Sequence, residues 1–290
     1  MRIDLCCVGS RFNMYRNAIA LLYHGLVGAG HDVTVSQNQI GNAALTIIVP
    51  PMAFRVPGLV EELRRRRQPY VVLGIETFDG FSHGQSADAA DDVGAFRAFF
   101  ESASAVLCLF KQDVERYRAI SPQPLWLRYG VHPQLEEVAD LPDRPVDVFF
   151  FGDVEPYPER RRTLQALRSA GLVTDVLDGS SQAPHELIRN ARIARAKINL
   201  NLAHADHVSP QRVVYLANNR LCCVSNTVPD ADGYLTAAHP VISTDRMVEA
   251  CKAIVADGSW RRLGNEAYDR VSGWTMVETL SAAIDQALVR

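Results

Sequence analysis

Short apolar runs alternate with amphipathic segments along the chain, and the alternation occurs in two successive halves. Apolar runs predict strands, and apolar residues at helical spacing predict helices. The first predicted helix stops at Gly30, and β-branched residues then begin the next strand. In the first half, the pattern predicts strands at 3–8, 30–35, 45–49, 69–75, 105–110 and 125–128, and helices at 16–29, 59–67, 96–101 and 114–120.

The alternation restarts after the segment 136–145, whose proline and acidic residues predict a linker. Alternation of this kind implies parallel sheets covered by helices on both faces. We therefore predict two Rossmann-like α/β domains facing each other across a cleft, 1–140 and 141–290, with the last helix free to pack back on the first domain. In the second half, the predicted strands are 146–151, 173–177, 197–202 and 221–225, and the predicted helices are 159–170, 184–194, 210–218, 246–256, 266–271 and 276–289.

Composition narrows the class of protein. The 290 residues are 48% hydrophobic and 22% charged, which is ordinary for a soluble globular protein. The net charge of −3 lacks the excess of basic residues that is typical of nucleic-acid-binding proteins. No apolar run is long enough to span a bilayer, and the N-terminus enters a strand pattern without signal-peptide features, so we expect a cytoplasmic protein. The six cysteines show no CxxC spacing and are expected to be reduced core residues.

A buried strand, a glycine turn and a basic helix start follow one another in the middle of the chain. The strand 146–151 leads to Gly152, and three arginines, 160–162, follow after a short loop. Backbone N–H groups, a helix dipole and guanidinium forks together suit a phosphate. A second strand–glycine–helix sequence, with Gly9 at its turn, opens the first half.

A second candidate phosphate contact lies at the helix predicted for 210–218. Ser209 is a candidate N-cap, and Gln211 and Arg212 fall in the first turn. A helix N-terminus with an arginine beside it suits a diphosphate. Simple capping with a surface arginine is the alternative.

Four stretches of the sequence resemble GT-B glycosyltransferases, most closely the group-1, CgeB-like branch. They are "AKINLNLAHADHVSPQRVVYLANNRLCCVSN", "VDVFFFGDVEPYPERRRTL", "LWLRYGVHPQL" and "RNAIALLYHGLVGAGHDVTV". The resemblance implies transfer of a sugar from a nucleotide-sugar, UDP- or GDP-linked, to an acceptor hydroxyl. It implies retention of configuration and no metal, because arginines neutralise the leaving diphosphate. The donor-side residues that it implies are Gly152, Arg161, Arg162, Asn201, Ser209, Gln211, Arg212 and Tyr215.

The sequence departs from the family pattern at several positions. The wider retaining family carries two glutamates eight positions apart, where this chain has His207 and Tyr215. His132 stands where many relatives have aspartate, and Asn226 where the branch often has glutamate. These changes leave open a non-catalytic nucleotide-sugar-binding protein of the same fold. A Rossmann dehydrogenase is disfavoured because neither glycine turn extends to G-x-G-x-x-G.

The first domain is expected to carry the acceptor site and any catalytic base. Glu76 follows the strand predicted for 69–75, and Asp79 and His83 lie in the same loop. Ligands of open α/β sheets bind at this carboxyl edge, so these three are the candidate catalytic residues. Candidates on the acceptor side, in the loop after the first strand, are Gly9, Asn13 and Arg16. The acceptor itself stays open among glycan, lipid-linked, protein, small-molecule and modified nucleic-acid hydroxyls.

Two further motifs have alternative interpretations. Asp230 and Asp232 have the spacing of a metal motif but follow a proline, which favours a polar turn. The four arginines at 64–67 are typical of a solvated helix end, with a membrane surface or polyanion as the alternative partner.

Overall fold

The computed structural model of the chain describes residues 1–8, 12–49, 51–75, 78, 89–179, 185–203, 208–230, 232–235 and 239–288. The chain divides into two compact units, Met1–Gly130 with Trp274–Arg290 and Val131–Gly273. Each unit contains one parallel sheet with helices packed on it, so the predicted two-domain Rossmann-like α/β class is confirmed. Among the described residues, no helix is long and apolar enough to cross a membrane.

The elements follow the predicted alternation. The strands are β1 Arg2–Cys7, β2 Asp32–Gln37, β3 Leu45–Val49, β4 Tyr70–Gly74, β5 Ala105–Cys108, β6 Pro124–Trp126, β7 Val146–Phe151, β8 Thr174–Leu177, β9 Ala196–Asn201, β10 Cys223–Asn226 and β11 Val241–Ile242. The described helices are α1 Phe12–Gly28, α2 Leu59–Arg66, α3 Ala89–Glu101, α4 Asp113–Tyr117, α5 Pro158–Ser169, α6 Glu186–Ala194, α7 Pro210–Asn218, α8 Met247–Asp257, α9 Trp260–Val271 and α10 Met276–Leu288.

Unit 1 is built on a six-stranded parallel sheet in the order β2-β1-β3-β4-β5-β6. Strands β3, β4 and β5 are buried along their whole length, which explains their uninterrupted apolar sequences. The strand order reverses between β1 and β3. The last helix, α10, belongs to this unit, and Gly25 of α1 leaves room for it, because a Cβ there would lie 2.7 Å from Leu280.

Unit 2 is built on a five-stranded parallel sheet in the order β11-β10-β9-β7-β8. Alternate residues separate its two faces. Phe150 and Ile198 join an apolar cluster with Leu164 of α5 and Met247 of α8. On the opposite face, Phe149 of β7 pairs in register with Asn199 of β9. The same face continues to Phe151 and Asn201, the last residues of the two strands.

The segment 136–145 is not a linker, and this prediction is wrong. Unit 2 already begins at Val131. Arg144 is buried, donates to the Ala196 carbonyl over 3.1 Å, pairs with Asp140 at 3.0 Å and lies over the Trp260 ring. The polar composition of the segment therefore reflects hydrogen bonding to unit 2.

Glycine explains two misplaced helix starts. Helix α3 begins at Ala89 and α9 at Trp260, before the predicted 96 and 266. Each contains a glycine, Gly94 or Gly264, which weakens the local helix signal. Gly264 is required by packing, because a Cβ there would lie 2.2 Å from the Arg220 carbonyl oxygen. The two-residue strand β11 was not predicted from the sequence.

The cysteines are free and buried, as predicted. Burial raises the pKa of Cys6 to about 11 and that of Cys223 to about 12. These two thiols therefore stay protonated at neutral pH and are poor nucleophiles.

Candidate functional site

The candidate site lies at the carboxyl edge of the unit 2 sheet, between β7 and β9. The chain continues from β7 to β8 on one side, whereas β9, β10 and β11 extend on the other. Such a reversal leaves a crevice beyond the strand ends, where open α/β sheets bind ligands. Gly152 follows β7 at this point, and Leu202 follows β9.

Gly152 is required where it stands. Its φ of 133° lies in the region that favours glycine, and a Cβ there would be 2.9 Å from Nη2 of Arg212. Its N–H donates to the Leu177 carbonyl over 3.1 Å, which ties the end of β7 to the end of β8. The missing side chain lets the arginine approach the strand end.

Arg212 lies in the first turn of α7 and reaches the end of β7. Its Nη2 donates to the Phe151 carbonyl over 2.8 Å, and the guanidinium carbon lies 4.6 Å from the centre of the Phe151 ring. Its Nε is buried and has no acceptor among the described residues. Burial, and then the charges of Arg160 and Arg189, lower the pKa of Arg212 to about 10. The group therefore remains a cation at neutral pH, but a poorly solvated one.

Arg160 is the member of the arginine triplet that the structure brings to Arg212. It is 7% exposed; its Nε donates to the Leu202 carbonyl over 2.8 Å and its Nη1 to the Asp153 carbonyl over 2.6 Å. Burial lowers its pKa. These two hydrogen bonds span the ends of β7 and β9, so Arg160 holds a second positive charge at the same edge.

The other two arginines of the triplet point elsewhere. Arg161 is 52% exposed and pairs with Glu155 at 3.5 Å, and Arg162 is 76% exposed and pairs with Glu159 at 3.3 Å. The structure does not bring these side chains into the cluster with Arg212. Their role in donor binding stays a prediction.

A third cation reaches the site from α6. The guanidinium of Arg189 lies over Phe151 at 5.8 Å and over Tyr215 at 5.0 Å. Its Nε and Nη2 donate to Oδ1 of Asn190 over 3.2 and 3.1 Å, and the Tyr215 hydroxyl donates to the same oxygen over 2.9 Å. This network holds Arg189 beside Arg212.

Tyr215 therefore acts as a support in this arrangement. Its hydroxyl also lies 3.4 Å from Oε2 of Glu137, and burial raises its pKa to about 12. At neutral pH it is an uncharged hydrogen-bonding group and supplies no carboxylate to a ligand.

Two buried asparagines line the polar face of β9. Asn201 donates to Oγ of Ser225 over 3.0 Å, and its Oδ1 has no donor among the described residues. Neither side-chain polar atom of Asn199 has a partner in the described part of the chain. Buried amides without partners are uncommon in native proteins, and these two make the face of β9 that packs against α6 and α7 polar.

The remaining residues predicted on the donor side lie at the start of α7. Ser209 occupies the N-cap position but makes no side-chain capping bond, and Gln211 is half-buried in the first turn. His207 lies outside the described residues.

Several departures from the family pattern have structural roles. Asn226 ties β10 to the residue after β9, accepting from the Ala203 N–H over 2.8 Å and donating to its carbonyl over 3.1 Å. The ring of His132 caps a short 3-10 turn by accepting from the Gln134 N–H.

Asp230, the first residue of the candidate metal motif, accepts from the Tyr234 N–H over 2.8 Å, as a turn residue does. Within the described part of the chain, no group of His, Cys, Asp or Glu is arranged to hold a metal ion.

The acceptor-side and catalytic candidates of unit 1 are less well described. Glu76, Asp79, His83 and Gly9 lie outside the described residues, as does the side chain of Asn13. Arg16 is half-buried in α1. Their roles stay predictions.

Sequence reasoning missed Arg160 as the inward arginine, and it missed Arg189 altogether. A signal for Arg160 was present: it lies three, four and seven residues before the buried positions 163, 164 and 167, so it shares their helix face. No local pattern marked Arg189, because its position depends on how α6 packs against β7 and β9.

Several solved glycosyltransferases share the fold of this chain. The Anabaena protein HepE, solved with UDP and glucose, is 12% identical, with a TM-score of 0.65 over 99% of this chain and 100% of that one. T4 phage β-glucosyltransferase, solved with its UDP-glucose substrate, is 10% identical, with a TM-score of 0.63 over the full length of both chains. A glycosyltransferase from Rickettsia africae is 10% identical, with a TM-score of 0.59 over 99% and 97%.

No protein-family model and no curated protein sequence matches the chain. The likeness therefore rests on structure, and sequence identities of 10–12% establish a shared fold only. It is supported by the element order and by both parallel sheets. The fold of this chain is that of the GT-B glycosyltransferases.

Proposed function

We propose that the chain is a glycosyltransferase that moves a sugar from a nucleotide-sugar donor to an acceptor hydroxyl. The donor diphosphate binds at the carboxyl edge of β7 and β9 in unit 2. The observation that carries this proposal is Arg212, a poorly solvated cation at the strand-order reversal whose buried Nε has no acceptor among the described residues. HepE and T4 β-glucosyltransferase were solved with UDP-glucose, which makes UDP-glucose the first donor to test and a GDP-sugar the second.

Electrostatics favours an anion at this position. The charges of Arg160 and Arg189 both lower the pKa of Arg212. Arg189 and Arg212 also lie over the same ring, that of Phe151, so three cations share one strand edge. Like charges in a site of low dielectric repel each other, and a bound diphosphate relieves this repulsion. Guanidinium groups also bind phosphate oxygens through paired N–H donors. The first turn of α7 adds the partial positive charge of a helix N-terminus.

The proposed chemistry places this positive charge on the leaving group. The acceptor oxygen forms a bond to the anomeric carbon while the bond from that carbon to the diphosphate oxygen breaks, and the electron pair leaves with the diphosphate. Arginines beside the diphosphate stabilise the developing charge. We propose that this makes the reaction metal-independent, and that the acceptor proton passes to the leaving diphosphate with retention of configuration, as the sequence resemblance implies.

A non-catalytic nucleotide-sugar-binding protein is the second candidate, and Tyr215 favours it. The tyrosine stands where the wider retaining family has a glutamate, and its hydroxyl is engaged by Asn190. The carboxylate that would hold a donor hydroxyl is therefore replaced by a buried neutral group. Binding of UDP-glucose without transfer or hydrolysis would support this candidate.

Ligand-induced thermal stabilisation tests the donor site. The assay compares UDP-glucose, UDP, GDP-mannose and ADP-glucose on the wild-type chain, where a ligand at 100 times its dissociation constant adds about 2.7 kcal/mol of stability. Arg212→Gln is expected to abolish the response to the preferred donor, since the cation facing the diphosphate is removed. Arg168→Gln, which changes an exposed arginine in the last turn of α5, is the matched control and retains the response. A full response in Arg212→Gln would refute the proposed site.

Turnover separates the two candidate functions. Release of UDP from UDP-glucose is followed with and without a panel of sugar, lipid-linked and small-molecule acceptors, in the presence and absence of EDTA. The first candidate predicts UDP release that depends on Arg212 and resists EDTA, and NMR of the product anomer reports the stereochemistry. Saturable binding without UDP release under every condition supports the second.

A further inference from the structure

The four arginines at 64–67 divide into two pairs with different surroundings. Arg65 and Arg66 both contact Glu62 of the preceding turn, at 2.6 and 2.5 Å. These two hydrogen-bonded arginines hold the pKa of Glu62 down to about 2, so its carboxylate stays charged. One acidic residue thus occupies two of the four guanidinium groups.

Arg64 and Arg67 turn to another side of the helix end. Arg64 lies in the last turn of α2, and Arg67 is the left-handed residue that ends the helix. Nη2 of Arg64 donates to Oγ of Ser102 over 3.0 Å and lies 3.4 Å from the Ala98 carbonyl, which are both uncharged acceptors. In the described part of the chain, the guanidinium of Arg67 makes no hydrogen bond or ion pair.

These two arginines line a cavity of about 360 Å³. Ser104 precedes β5 directly and Tyr70 begins β4, so the cavity lies at the amino edge of the unit 1 sheet. The predicted acceptor loops follow the carboxyl ends of the strands, at the opposite edge. Among the described residues, no acidic side chain lines the cavity. Beside the arginines, the lining offers the hydroxyls of Ser102 and Ser104 and an apolar wall that includes Leu63 and Leu288.

We propose that this cavity is a second anion site, one that binds a phosphate ester. The lining supplies two guanidinium forks and the hydroxyl of Ser104, which are groups that bind phosphate oxygens, whereas the Ser102 hydroxyl donates to the Ala98 carbonyl. The apolar wall suits the carbon portion of an ester, and the volume matches that of small-molecule sites. The same chemistry describes a phospholipid headgroup and a soluble phosphate ester.

Arginine modification provides the direct test. Phenylglyoxal labelling followed by mass spectrometry measures the reactivity of each arginine with and without glycerol 3-phosphate. Glycerol 3-phosphate is expected to slow labelling of Arg64 and Arg67 at least tenfold and to leave Arg65 unchanged. A parallel arm measures flotation of the protein with phosphatidylcholine vesicles that contain or lack phosphatidic acid.

Variants decide between the outcomes. The double variant Arg64→Gln, Arg67→Gln should lose binding to whichever probe the wild type binds, whereas Arg65→Gln, the matched change of charge on the same helix, should keep it. Protection by glycerol 3-phosphate alone supports a soluble ester, and vesicle binding that requires phosphatidic acid supports a lipid headgroup. Neither response, or equal loss in Arg65→Gln, overturns the proposal.

Failure here is distinguishable from failure of the donor site. The double variant should retain the thermal response to UDP-glucose, and Arg212→Gln should retain the protection of Arg64 and Arg67. A circular dichroism spectrum and melting temperature equal to those of Arg65→Gln show that the double variant is folded. If it is folded and still binds the wild-type probe, the cavity is not the site.

Discussion

Replacing His239 should remove part of the acid sensitivity of unit 2. The ring is 1% exposed, and its nitrogens make no well-formed hydrogen bond among the described residues, the backbone of Val213 being their nearest polar contact. Burial lowers its pKa from 6.5 to about 4. The folded state therefore keeps this imidazole neutral at pH values where the unfolded chain protonates it.

The sign and size of the effect follow from proton linkage. Between pH 6.5 and about 4 the unfolded state binds more protons at this ring, so stability falls as the pH falls. Each pH unit of difference in pKa corresponds to about 1.4 kcal/mol, which sets a ceiling of about 3 kcal/mol. The loss between pH 7 and pH 5 is about 2 kcal/mol. His239→Gln, which does not titrate, should lack this component.

Urea titrations read by hydrogen-exchange mass spectrometry provide the measurement. Peptides from α7 and β10 report unit 2, and peptides from β3 and β4 report unit 1 in the same samples. The wild type should lose about 2 kcal/mol more than His239→Gln in the unit 2 peptides between pH 7 and pH 5. The unit 1 peptides should respond equally in both proteins. Equal pH slopes in the unit 2 peptides would refute the reasoning.

Glycine substitutions test the close approaches described above. In Gly152→Ala the new methyl group would lie 2.9 Å from Nη2 of Arg212, so the thermal response to UDP-glucose should fall. Because alanine is strained at a φ of 133°, the free energy of unfolding should also fall by about 1–3 kcal/mol. Unchanged donor affinity would contradict this geometry. In Gly41→Ala the methyl group would lie 2.7 Å from Cγ of Asp4, a carboxylate that accepts from the Gly41 N–H, so urea unfolding should show a loss of about 1–3 kcal/mol. Gly94→Ala, with no atom within 4 Å in helix α3, is its control and should add about 0.5–1 kcal/mol, and equal effects of the two changes would refute the packing argument.

Local sequence patterns were sufficient for the fold class, and they also indicated the strand end at which the structure brings Gly152 and Arg212 together. Fully buried parallel strands read as apolar runs, and Gly152 after β7 marks a turn that only glycine fits. These signals are local because strand alternation, helix spacing and φ preferences depend on neighbours in the chain. Gly152 and Arg212 could therefore be placed together from the sequence.

The partners of individual side chains were decided by tertiary structure. Three consecutive arginines look equivalent in sequence, yet Arg160 is buried across two strand ends while Arg161 and Arg162 pair with surface glutamates. Arg189 reaches the same site from a helix that no motif connects to it.

The sequence by itself determined the alternation, the two parallel sheets and the glycine turn at the strand end. Only the tertiary structure decided that Arg160, Arg189 and Arg212 share one edge, that 136–145 packs on unit 2, and that Arg64 and Arg67 face a cavity. The physical reason is that burial and hydrogen-bond partners arise from contacts between residues distant in sequence, which a pattern of neighbouring residues does not specify.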